Sequence, residues 1–106
     1  MKRTETIKKQ NDFNIIIKTG KFTKNEYYII YKLEKTEQEP KFGIAISNKV
    51  GKAYIRNKLK RQTRTLIDKY RNLFKNNNNY IIMIRKSCKE ANYETLEKAF
   101  NALIEK

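Results

Sequence analysis

Residues 49–75 read KVGKAYIRNKLKRQTRTLIDKYRNLFK, and their spacing predicts one long helix with a dry face and a basic face. Ile55, Leu59, Leu66, Tyr70 and Leu73 recur every three to four residues. At about 100° per residue they share one arc, flanked by Ile67 and Phe74. Arg56, Lys60 and Arg64 are spaced i, i+4, i+8, a row of cations about 12 Å long at about 1.5 Å rise per residue. Asn57 and Arg61 make a second row beside it. A basic helix face is ordinarily a solvated surface. Here like charges at i, i+4 repel, and no Asp or Glu occurs between Lys41 and Ile67 to relieve them. Uncompensated cations on a rigid rod suit a polyanion, and nucleic acid is the polyanion expected.

Outward from this helix the pattern changes period. Upstream, residues 42–47 (FGIAIS) read as a strand whose large side chains share one face and whose small ones share the other. The small face is either a groove floor or a seat for a closely packed helix. Gly51 falls in the turn before the helix. Downstream, Asn76 to Asn79 read as a closing loop. Tyr80-Ile81-Ile82-Met83-Ile84 is a near-continuous apolar run, as expected of a strand buried on both faces. Strand, helix and strand then form one unit, with its two strands parallel.

Further out, Tyr27, Ile29, Tyr31 and Leu33 alternate with Tyr28, Ile30 and Lys32, a strand over 27–33. The polar stretch 34–40 reads as a hairpin loop into the strand at 42–47. Phe13 and Ile17, four residues apart, with Ile16 between them, predict a helix over 11–18, capped by Asn11 or Asp12 and ended by a left-handed Gly20. A strand starting at Ile15-Ile16-Ile17 competes with it, because β-branched runs weaken helices. Residues 1–10 are polar and read as loose. Leu96, Ala99, Phe100 and Leu103 form the stripe of a last helix over 93–104, with Glu90, Glu94 and Glu97 early in it. The fold class is α+β: one domain over 1–106, an α-β-β(-β)-α-β-α sandwich on a small, mainly antiparallel sheet.

The bulk numbers agree with a nucleic-acid binder. The 106 residues hold 25 Lys and Arg against 11 Asp and Glu, a net charge of +14 that attracts phosphate. Cys88 is the single cysteine and there is no histidine, so neither an internal disulfide nor a Cys/His metal set can form. No signal-like or membrane-spanning run occurs, which predicts a cytoplasmic protein without a membrane partner. Catalytic groups are missing too. No histidine can act as base, no carboxylate pair is spaced to hold two Mg²⁺ ions, and Gly43 and Gly51 make no phosphate loop. Cys88 has no histidine partner and reads as a small core or surface residue. The chain is expected to hold RNA or DNA and to break no bond itself.

Residues 51–64, GKAYIRNKLKRQTR, resemble the signature of the bacterial ribonuclease P protein subunit, an Arg-Asn-Arg core followed by Ile/Leu-Lys-Arg and another Arg. Asp12-Phe13 with Gly20, Gly43 to Ser47 followed by Lys49-Val50-Gly51, and Tyr80 to Ile82 with Arg85-Lys86 resemble other parts of that family, so the likeness spans about residues 8–104. The resemblance implies an endoribonuclease subunit. It would bind a catalytic RNA subunit and precursor tRNA and support removal of the 5′ leader. The RNA would carry the chemistry, with Mg²⁺ held mainly by the RNA and no organic cofactor on the protein. It also implies a left-handed β-α-β crossover, as in a related ribosomal-protein domain, where general handedness rules favour the right-handed form.

Carried over residue by residue, the resemblance makes Lys49, Lys52, Arg56, Asn57, Lys58, Lys60, Arg61 and Arg64 RNA-binding, and Phe13, Ile17 and Tyr31 the leader groove. It assigns no catalytic and no metal-binding side chain. Read without the family, Phe13 and Tyr31 are ordinary core residues. Two departures stand out. Lys58 replaces a common third Arg and loses the planar fork, and Ile17 replaces a frequent second groove aromatic. The alternatives are a ribosomal-type structural RNA binder, which shares the charge, and a helix-turn-helix DNA binder, which the strands flanking the basic helix disfavour.

Overall fold

The computed structural model describes residues 7, 10–34, 40–74 and 78–104. In chain order these form α1 (Gln10–Thr19), β1 (Lys21–Lys24), β2 (Tyr28–Glu34), β3 (Lys41–Ile46), α2 (Ala53–Lys69), β4 (Asn78–Ile84) and α3 (Tyr93–Ile104), with 3₁₀ turns at Asn48–Val50, Arg71–Leu73 and Lys86–Glu90. The sheet is open, in the order β1-β2-β4-β3. β1 and β2 pair antiparallel, as do β2 and β4, and β3 runs parallel to β4. The class is α+β, with the expected parallel β3-α2-β4 unit.

Strand order is where the expectation changes. Residues 35–39 of the predicted hairpin loop lie outside the described residues. β2 and β3 are not neighbours, because β4 lies between them. β4 carries Ile81, Ile82 and Ile84, all buried, and a strand dry on both faces belongs inside the sheet. β3 therefore takes an edge. β1 is a strand with no counterpart in the sequence reading beyond the bracketed third strand. It turns into β2 at Asn25, whose Oδ1 accepts from the Tyr27 and Tyr28 amides at 2.9 Å each and whose Nδ2 donates to Ala99 O at 3.0 Å.

The long helix is shorter than predicted. α2 ends at Lys69, and the chain turns through Tyr70 into Arg71–Leu73. The turn swings Leu73 out of the dry stripe to 51% exposure and sends Phe74 into the core instead. Asn78 and Asn79, read as loop, begin β4. α1 starts at Gln10, so Asn11 and Asp12 lie inside it rather than at its cap. Gly20 has no positive φ. A Cβ there would sit 2.5 Å from the carbonyl oxygens of both Ile16 and Lys32, so close backbone approach, not a left-handed cap, requires glycine. Within the segment read as loose, Ile7 is buried, and its amide donates to Phe42 O at 2.8 Å on the β3 edge.

Two cores flank the sheet. α2 and α3 cover one face, where Tyr28, Phe42, Leu59, Leu66, Tyr80, Ile82, Leu96 and Phe100 pack. α1 covers the other through Ile16 and Ile81. Cys88 belongs to the larger core, with its Sγ donating to Tyr27 O at 3.0 Å. Burial pushes its thiol from 9.0 up to about 11, and burial also raises the Tyr28 hydroxyl. The unfolded thiol ionises first, so the unfolded state binds fewer protons between about pH 9 and 11, and stability falls there as pH rises. A thiol reagent at pH 8 is expected to leave native Cys88 unmodified over times in which urea-unfolded chain reacts fully. Equal rates would place the thiol at the surface.

Candidate nucleic-acid interface

α2 sorts its residues by face. Leu59, Thr63, Leu66 and Ile67 are buried. The Thr63 hydroxyl donates to Leu59 O at 2.8 Å, which lets a polar residue sit in the dry stripe. Opposite them Asn57, Lys58, Arg61 and Arg64 are exposed, while Arg56 and Lys60 are half-buried along their stems. Arg56 donates through Nη1 to Asn48 Oδ1 at 2.8 Å and through Nε to Gly51 O at 3.2 Å. These acceptors are neutral, so the guanidinium is oriented while its charge stays uncompensated. Among the described residues, no ion pair links Lys49, Lys52, Arg56, Lys58, Lys60, Arg61 or Arg64 to a carboxylate. Lys69, at the far end of α2, differs. It pairs with Glu97, which also accepts from the Tyr70 hydroxyl at 3.0 Å. The Lys69 hydrogen bond, seconded by Tyr70, holds the Glu97 carboxyl below its ordinary range.

The sheet face under α1 supplies a second feature. Strand register aligns Phe22, Tyr31, Ile81 and Gly43 in one row across the sheet. Phe13 of α1 sits on that row, since a Cβ on Gly43 would lie 2.6 Å from Phe13 Cζ. The next row, Ile29, Met83 and Ala45, floors an apolar groove of about 550 Å³, which exposed Lys49, Arg85 and Lys86 also line. The small face of β3 thus does both things expected of it as alternatives: Gly43 seats a helix and Ala45 floors a groove.

Phe13, Ile17 and Tyr31 come together in one cluster against Ile16 and Ile81, each half-buried. They are packing residues that keep an exposed edge. Lys49 joins the two features. The segment from Ser47 to Gly51 leaves β3 at the groove and starts the cationic face. It is fixed there by the Lys49 amide on Ser47 Oγ at 3.2 Å and by Arg56 on Asn48. Lys52 is exposed at the helix start. Sequence reasoning left out Phe22, Ile29 and Met83 as surface-forming residues and named Arg85 and Lys86 only within the family resemblance. The alternation of Lys21-Phe22-Thr23-Lys24 before a turn-forming Asn25 was the available signal for β1 and Phe22.

The family model for ribonuclease P matches residues 1–106. The ribonuclease P protein component of Bacillus cereus (strain AH187) is 37% identical over 101 residues, spanning 93% of this chain and 87% of its own. A mutant of the Staphylococcus aureus RNase P protein superposes with a TM-score of 0.91 at 24% identity, covering 97% of this chain and 87% of that one. The Thermotoga maritima RNase P protein superposes at 0.84 with 26% identity, covering 96% and 97%.

Proposed function

Because this chain belongs to the ribonuclease P protein family and is a component of that ribonuclease, we propose that it grips a catalytic RNA with the outer face of α2 and the 5′ leader of precursor tRNA in the groove. Arg56, Arg61 and Arg64 fork onto phosphate oxygens, Lys49, Lys52, Lys58 and Lys60 add point charges, and Asn57 pairs with a base edge or sugar. Phe13, Ile17 and Tyr31 do not line that groove but cluster beside it under α1, where their exposed edges offer apolar contact to unpaired leader bases, which tolerates leader sequence.

The observation that carries this reading is a row of cations that no carboxylate among the described residues pairs, with Arg56 oriented by neutral acceptors, leading through Lys49 into the groove. Mg²⁺ would be held by the RNA, because the donors this face presents are themselves cations that repel it. In this reading the RNA cuts the bond, and the protein's charge offsets phosphate repulsion that Mg²⁺ would otherwise have to screen. The work is done in the cytoplasm. Among the described residues no helix is long and apolar enough to cross a membrane.

Reconstitution tests it. With its cognate RNA at a Mg²⁺ concentration where the RNA alone stalls, added protein is expected to restore cleavage at the mature 5′ end, and RNA-free protein is expected to cut nothing. No stimulation of properly folded RNA, or cleavage by the RNA-free protein, overturns the proposal.

A further inference from the structure

Phe22 is 55% exposed on the edge strand β1. A lone exposed phenylalanine is ordinary, but this one is not alone. It stands directly across from Tyr31, with ring centroids 5.7 Å apart and planes at 47°. Two residues on, Lys24 falls on the same face opposite Ile29, beside the groove floor, and is exposed. Lys21 adds a second exposed cation to the same four-residue strand, which has no acid. Paired rings with a cation beside them, at the edge of the sheet face that α1 covers in part, are what a single strand needs: π-faces for its bases and charge for its backbone.

We propose that Phe22 and Tyr31 form a two-ring stacking platform for neighbouring unpaired nucleotides, with Lys24 taking a phosphate, so that the leader path runs from the groove to the outer edge of β1. The inference rests on the reading of the groove as the leader site and extends it by a residue that no other observation brings in. Stacking accepts any base, so the platform adds affinity without dictating leader sequence. It engages only leaders long enough to reach β1.

The test uses the holoenzyme, precursor tRNAs with a series of leader lengths, and mature tRNA. Phe22→Leu keeps an apolar side chain at an exposed position and removes the ring. It is expected to weaken binding of long-leader precursor by about fivefold or more, the low end of what losing a stacked base costs. Mature tRNA and precursors with leaders trimmed short of β1 are expected to bind as before. Phe22→Trp is expected to keep the affinity. The chain has no tryptophan, so its fluorescence reports directly, quenched by long-leader precursor and unchanged by mature tRNA. An unaltered precursor-to-mature ratio in Phe22→Leu, or equal losses for both ligands, overturns the platform. If Tyr31→Ala then still loses leader preference, the groove reading stands without it. If the unaltered protein shows no leader preference at all, both readings fall.

Discussion

Arg56→Ala combined with Arg64→Ala is expected to weaken binding of the cognate RNA about 25- to 60-fold near 0.1 M monovalent salt, and to flatten the slope of log K against log salt by about 1.4–1.8. Each lost phosphate contact removes about 0.7–0.9 from that slope, the lower value for single strands and the higher for duplex. Both residues are included because they mark the two ends of the cationic row, and because no carboxylate among the described residues already claims them. Arg56 also holds Asn48 and Gly51, so part of its loss comes from a loosened helix start. Arg56→Lys separates the two: the slope stays while some affinity goes with the planar fork. Lys69→Ala serves as the control, since Lys69 is exposed and engaged by Glu97, and the slope should not change. A double variant with the wild-type slope would show a merely solvated face.

Phe100→Ala is expected to cost about 3–5 kcal/mol of folding stability, the range for emptying a fully buried aromatic site. Phe100 has no exposed surface. Its ring centroid lies 5.4 Å from Tyr28 of β2, 6.1 Å from Phe74 and 6.5 Å from Tyr70, so it joins α3 to the sheet and to the end of α2. Collapse around the void would need three elements to move together. Small domains have about 5–15 kcal/mol in total, so most of the margin goes. Urea titration should show a lower midpoint with an unchanged slope, and saturating RNA should restore part of the loss by mass action. A loss under about 1 kcal/mol would mean α3 is not seated where its ring contacts put it.

Several elements were legible from local pattern alone. The last helix runs from Tyr93 to Ile104 as its stripe of Leu96, Ala99, Phe100 and Leu103 requires, and the central strand is the continuous apolar run. The cationic rows of α2 needed only a period of 3.6 and a count of missing acids. The RNA-facing roles of particular residues came from resemblance to a family, and membership of that family follows from the match over 1–106. Periodicity along a chain states which side of each element must be dry. It does not state which dry side meets which.

That second question was answered only in three dimensions. Nothing local said that β4 would enter between β2 and β3, that Ile7 would be fixed to the β3 edge, or that Leu73 would leave the stripe when α2 stopped at Lys69. Gly20 read as a left-handed helix end and Gly43 as a small residue, yet each is where a segment well separated in sequence approaches too closely for a Cβ, Lys32 at Gly20 (together with the nearby Ile16 carbonyl) and Phe13 at Gly43. The groove exists because the row Ile29, Met83 and Ala45 comes from three different strands, each of which sees only its own alternation. Charge and amphipathic period are written residue by residue. A concave surface is a property of packing, since every atom that lines it is held by neighbours distant along the chain.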